Sequence, residues 1–198
     1  MAQREEILEE DRYRAQFYRL MSRLLARAPD QELLTQLGGF DGDDTAIGQA
    51  LGALGTAAGL ATPESTGDEY QNLFIGIGRG ELVPFASFYL TGFLNEKPLA
   101  RLRQDMAAHG VERAAGVSEP EDHIASVCEI MAGFILGDFE APMPLAQQSE
   151  FFDRHIGCWA GRFFEDLEKA KSAEFYKVVG TLGRAFMEIE TTAFQMAA

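Results

Sequence analysis

Apolar residues recur every three or four positions along most of this chain, and that spacing predicts helix after helix. Between Arg4 and Ala28, residues Ile7, Tyr13, Phe17, Leu20, Met21, Leu24 and Leu25 form one stripe on a long first helix, which Pro29 and Asp30 end. Gln31 to Gly38 reads as a short helix and Thr45 to Leu60 as an Ala-rich one. Ser65 with Asp68 resembles a capping box that opens a helix through Phe74. Gly76, Gly78 and Gly80 then break the pattern. After Pro84, helices are predicted over Ala86 to Leu94 and from Pro98, in a first turn, to His109. Past a polar, turn-rich stretch from Gly110 to Pro120, a helix over 121–136 carries Ile124, Val127, Cys128, Met131 and Ile135 on one side. Pro142 and Pro144 interrupt. Two long helices follow, Leu145 to Ala170 and Ser172 to Ala197, with Trp159, Phe163, Phe164, Leu167, Phe175, Val179, Leu182, Phe186 and Ile189 facing inward. No alternating β-branched run competes with this pattern. It predicts an all-α fold, a single bundle-like domain of two subdomains (about 1–109 and 121–198) joined by a hinge at 110–120.

A chain of 198 residues, 46% hydrophobic and 24% charged, is long enough to bury a sizeable core and is neither disordered nor fibrous in composition. No stretch approaches the roughly 20 apolar residues that span a bilayer. The first eleven residues hold five acids where a secretory signal needs a basic start, so a cytoplasmic location is expected. Cys128 and Cys158 are too few for a disulfide framework and read as buried, reduced thiols.

The net charge of −14 argues against nucleic acid as a partner. Its distribution is more informative. Residues 31–75 hold seven acids and residues 119–153 hold eight, and neither block contains a Lys or Arg. Such blocks make either two solvated acidic faces or, if brought together, a basin suited to a basic ligand.

Candidate chemistry is sparse. Gly76-Ile77-Gly78-Arg79-Gly80 echoes a phosphate-binding loop, but it follows a helix and leads into Leu82, Val83 and Pro84, so it reads as a flexible helix-to-helix turn. Asp122, His123, Cys128, His155 and Cys158 lack zinc spacing, and no nucleophile elbow surrounds Ser87, Ser126 or Ser149. Glu119-Pro120-Glu121-Asp122-His123 remains, at the hinge edge. Asp122 suits the first turn of the following helix, so the group reads as a capping cluster or as acids placed to meet arginine. Tyr70, Leu73 and Phe74 form an apolar stripe, whereas Pro84 and Phe85, in a Gly-rich connection, suit an aromatic groove for a helical peptide.

Three segments together resemble the TorD/DmsD family of cytoplasmic molybdoenzyme maturation chaperones. They are Glu69-Tyr70-Gln71-Asn72-Leu73-Phe74, Pro84-Phe85-Ala86-Ser87-Phe88-Tyr89-Leu90, and Glu119-Pro120-Glu121-Asp122-His123 followed by Met131. Phe152, His155, Trp159, Phe163, Phe164 and Phe175-Tyr176 extend the likeness over about 10–190. The resemblance implies a non-enzymatic chaperone that binds the twin-arginine leader of a molybdoenzyme, of DMSO reductase or formate dehydrogenase type, delays its export and assists molybdenum cofactor insertion. By motif position, Tyr70, Leu73, Phe74, Pro84, Phe85, Ser87 and Tyr89 would line the peptide groove, with Glu119, Asp122 and His123 at its hinge side. The partners implied are the client's catalytic subunit and its basic leader, with no nucleic acid and no membrane insertion. The chain would be a monomer, domain-exchanged dimers being known among relatives. No cofactor or metal of its own is implied beyond the weak guanine nucleotide binding of some relatives and contact with the client's molybdenum cofactor. Phe85 stands where some relatives have tryptophan. The alternatives are a NarJ-like assembly factor for a non-exported molybdoenzyme and a nucleotide-hydrolysing enzyme, for which only the Gly-rich turn speaks.

Overall fold

The computed structural model describes residues 7–113, 116 and 119–197. These are all-α: α1 (Glu9–Ala26), α2 (Gln31–Leu37), α3 (Ala46–Leu60), α4 (Pro63–Tyr70), α5 (Ala86–Thr91), α6 (Lys97–Ala108), α7 (Ile124–Leu136), α8 (Leu145–Phe152), α9 (Ala160–Lys169) and α10 (Phe175–Ala197). Wide π-type turns, Gln71–Ile75 and Asp153–Gly157, continue α4 and α8. Among the described residues no helix is long and apolar enough to cross a membrane.

The chain forms two compact units. The first holds residues up to Ser22 and Phe85–Trp159, and the second Arg23–Pro84 and Ala160–Ala197. The stretch 110–120 connects α6 to α7 inside the first unit, and its residues 114, 115, 117 and 118 lie outside the described residues.

In the first unit α7 is apolar nearly all round and correspondingly buried, from Ile124 to Ile135, as a core helix must be. Trp159, Phe151, Phe152, Leu99, Leu102 and Met106 share that unit's core. Cys128 is buried there, and burial pushes its thiol up, beyond reach of ionisation at neutral pH. Cys158 departs from the expectation of two buried thiols: it is exposed, in the turn that follows the π-type segment. The same turn breaks the helix expected over 145–170. Gly157, just before the break, lets the buried Phe152 ring lie against the backbone, since a Cβ there would stand 2.6 Å from that ring.

In the second unit α10 packs along α9, α3 and α4. Phe163, Phe164 and Leu167 of α9 and Tyr176, Val179, Leu182 and Phe186 of α10 are all buried in the core between these two helices. Close approach requires glycine at Gly180, where a Cβ would lie 2.7 Å from the Glu168 nitrogen and 2.9 Å from the Phe164 carbonyl. The first helix also differs in detail from its predicted stripe: Tyr18 is buried and Tyr13 is exposed, its hydroxyl donating to Glu9. The capping box sits one turn earlier than predicted. Thr62 is the N-cap and Ser65 its reciprocal partner at 3.0 and 3.1 Å, with Pro63 preset for the first turn.

A pair of glycine substitutions tests this packing. Gly180→Ala should destabilise the protein by about 1–3 kcal/mol, since backbone rather than a flexible side chain blocks the new methyl. Gly67→Ala, inside α4 with nothing within 4 Å of the added carbon, should stabilise it by about 0.5–1 kcal/mol. Urea unfolding of both variants reads the opposite signs.

Candidate functional site

The predicted site residues fall into both units, and each group is described within its own. In the second unit, Leu73 is fully buried, Pro84 is buried, and Tyr70 and Phe74 are half-buried. The rings of Tyr70, Phe74 and Tyr176 form a triangle with centroids 5.0 to 5.9 Å apart. Two hydroxyls fasten it to α1, Tyr70 Oη donating to the Leu25 carbonyl at 3.2 Å and Tyr176 Oη to that of Leu24 at 3.0 Å. Glu69, beside Tyr70, was not among the predicted site residues. Its buried carboxylate accepts from the backbone nitrogens of Glu174, Phe175 and Tyr176 at 2.7, 3.0 and 2.7 Å, which makes it the cap of α10 from another helix.

The Gly-rich turn is held at both ends, while its tip at Ile77 and Gly78 is open to solvent. Leu82 N donates to the Leu73 carbonyl at 2.8 Å and Glu81 N to that of Asn72 at 3.1 Å, so the chain folds back on the motif. Gly76 has φ +60, and a Cβ there would strike the Arg79 carbonyl at 2.1 Å. Glu81 then accepts from the nitrogens of Lys171 and Ser172. The bond from Lys171, foremost, holds its carboxyl below the ordinary range.

In the first unit, Phe85, Ser87, Asp122 and His123 meet. Phe85 pairs with His123 as an isolated antiparallel bridge, their rings edge-on at 5.0 Å. The Asp122 carbonyl accepts from Ala86 N at 2.9 Å and its Oδ2 from Ser87 N at 2.8 Å. Asp122 therefore caps α5, not the helix that follows it in sequence. That helix, α7, is capped by His123, whose Nδ1 accepts from Ala125 N at 3.1 Å. This bond assigns the neutral ring's proton to Nε2. Burial lowers the His123 pKa to about 4.

The three acids of this motif are not equivalent. Glu119 is exposed, and its carbonyl accepts from Arg113 at 2.9 Å. Glu121 is bonded through Oε2 to Arg103 at 2.9 Å; burial raises its pKa, but the Arg103 hydrogen bond and charge more than offset this. Asp122 is 1% exposed. Among the described residues, Asp122 Oδ1 and Ser87 Oγ are buried with no hydrogen-bond partner. Tyr89 is half-buried with its ring 5.5 Å from that of Trp159.

A second polar cluster of this unit escaped the sequence reading. His155 Nε2 lies 2.6 Å from Asp105 Oδ2, which also accepts from Arg154 at 2.8 Å, and Trp159 Nε1 donates to the His155 carbonyl. The partners stand 49 and 50 positions apart, so no local spacing announces them.

Residues 40–165 match the family model described as nitrate reductase delta subunit. The chain belongs to that family. Among curated relatives, TorD chaperone proteins of Vibrio cholerae serotype O1 (strain ATCC 39541) and of Vibrio atlanticus are 30% and 27% identical over 127 and 202 residues. The first alignment covers 61% of this chain and 58% of its relative, the second 90% and 93%. The likeness to TorD expected from the motifs is thus borne out. Among solved structures, a candidate redox enzyme maturation protein from Archaeoglobus fulgidus shares the fold with a TM-score of 0.59 and 20% identity, over 93% of this chain and 99% of that one.

Proposed function

We propose that this protein is a cytoplasmic maturation chaperone that binds the twin-arginine leader of a molybdoenzyme, delays its export and assists insertion of the molybdenum cofactor. The observation that carries the reading is the orphaned pair in the first unit. A carboxylate oxygen and a hydroxyl, Asp122 Oδ1 and Ser87 Oγ, are buried without a hydrogen-bond partner, where Asp122 holds the Ala86 and Ser87 nitrogens that follow Phe85. Unpaired buried polar atoms cost roughly 1–3 kcal/mol each and mark places where a ligand or water completes the bonding. A leader supplies guanidinium donors for the acceptors and apolar side chains for the aromatic rings. The chaperone names of the TorD relatives support the same class of role, which is binding rather than catalysis.

Calorimetry with a twin-arginine leader peptide should show a micromolar or tighter complex, about −8 kcal/mol or better. Changing both arginines to glutamine should weaken it strongly. Phe85→Ala should lower leader affinity roughly thirtyfold, about 2 kcal/mol, with only the modest fall in Tm that loss of its ring contact with His123 brings. Phe74→Ala should instead lower Tm, because its ring packs between Tyr70 and Tyr176. Normal leader binding by Phe85→Ala would remove that ring from the site.

The description of the matching family model, a nitrate reductase delta subunit, favours a second reading as an assembly factor for a non-exported molybdoenzyme. Co-purification with a client whose leader has been deleted separates the two. Loss of capture supports leader recognition, and undiminished capture supports the assembly factor.

A further inference from the structure

The second unit carries an open cleft of about 440 Å³ on the side of α4 where Ser65, Glu69 and Asn72 lie. Ala57, Leu60 and Ala61 at the end of α3 form one wall, and Ser172, Glu174 and Phe175 at the start of α10 form the other. Its size falls within the range of small-ligand sites. None of the motif residues predicted to bind peptide lines it.

The chemistry of the walls selects a ligand. Glu69 and Glu174 give two carboxylates and no Lys or Arg lines the cleft, while the whole segment 31–75 that supplies the α3 and α4 wall has seven acids and no basic residue. An anion is disfavoured there. A carboxylate offers about four acceptor positions, and Glu69 uses three of them on backbone nitrogens. Ser65, Asn72 and Ser172 add neutral polar groups, and the remaining lining is apolar: Leu60, 83% exposed at the rim, with Ala57, Ala61 and Phe175. A hydrocarbon stem ending in a planar, multidonor cation matches that combination, the stem lying on the apolar wall and the fork meeting carboxylate and the Asn72 amide.

We propose that this cleft is a binding site for the side chain of an arginine presented by a basic peptide segment. That the peptide is a client's leader rests on the function proposed above; the recognition of the guanidinium does not, and the two are tested separately.

For the cleft itself, the probe is N-acetyl-L-arginine amide, titrated into the full chain under two-dimensional NMR, with N-acetyl-L-glutamine amide as the neutral control. The side-chain amide of Asn72 and the backbone signals of Leu60, Ser172 and Glu174 should shift saturably with the arginine probe and not with the control. Glu174→Gln and Leu60→Ser alter exposed side chains outside the core and should each weaken binding at least threefold. No saturable shift at these signals, or equal binding by both variants, overturns the proposal. For the source, a twin-arginine leader peptide that binds the protein without moving the cleft signals removes the cleft from leader recognition and leaves the chaperone reading standing. A leader peptide that fails to bind while the arginine probe seats in the cleft overturns the leader reading alone.

Discussion

Glu69→Ala should lower stability by about 4 kcal/mol, a large share of the roughly 5–15 kcal/mol that holds a domain of this kind together. The carboxylate takes three backbone nitrogens at the start of α10, of which those of Phe175 and Tyr176 are buried. Hydrogen bonds to a charged acceptor contribute about 1.5–3 kcal/mol each, and the buried donors would have no substitute partner. Exposure of Glu174 lets water replace the third, which limits the loss. For a chain of this size the change corresponds to a fall in Tm of roughly 10 °C, readable by calorimetry or circular dichroism. Glu69→Gln keeps an acceptor at the right length and should lose about half as much. Glu81→Gln, which affects an exposed clamp on Lys171 and Ser172, should lose less than about 1 kcal/mol. A melting temperature for Glu69→Ala within 2 or 3 °C of wild type would show that water caps α10 adequately. The size of the expected loss is why the arginine cleft is probed at Glu174 and Leu60 rather than at Glu69.

This role of Glu69 marks the limit of what the sequence makes legible. Helices were recoverable because their cores are written locally, as apolar residues at three- and four-residue spacing, and α6, α7 and α10 sit close to where that spacing puts them. Their ends were less so. Residue 172 carries no sign that α10 begins only at Phe175, because the acceptors that fix its start, Glu69 and Glu81, come from about 90 to 107 residues earlier. The same applies to Asp122. Local rules place an acid before α7 as the cap of α7, but His123 fills that position and Asp122 turns to α5, 35 residues back. In the candidate site, residue types and their order were legible and burial was not. Leu73, Ser87, Asp122 and His123 are all under 5% exposed, which follows from packing against elements distant in sequence. The pairing of Asp105 with His155 was invisible for the same reason.

Stability should fall as pH drops from about 6.5 to 4, and His123 should account for about 3 kcal/mol of that fall. In the folded protein burial holds its pKa at about 4, against 6.5 for the free side chain. Between those values the unfolded chain binds the proton and the folded chain does not, so acid favours unfolding. The contribution is fully present above pH 6.5 and is lost through the interval at 1.36 kcal/mol per unit. Protonation would also have to occur at Nδ1, the atom that accepts from Ala125 N, so charging the ring removes the cap of α7 as well. His155 adds to the same acid sensitivity, since burial lowers its pKa too, although Asp105 partly restores it. A variant isolates the His123 share. His123→Asn keeps a capping acceptor, asparagine being a preferred N-cap, and cannot titrate. Urea midpoints measured from pH 7.5 to 4.5 should converge: the variant is less stable at neutral pH through the lost ring packing on Phe85, and its stability should decline less steeply below pH 6.5. Parallel profiles for the two proteins would mean that the His123 ring reaches water in solution and titrates as an ordinary histidine.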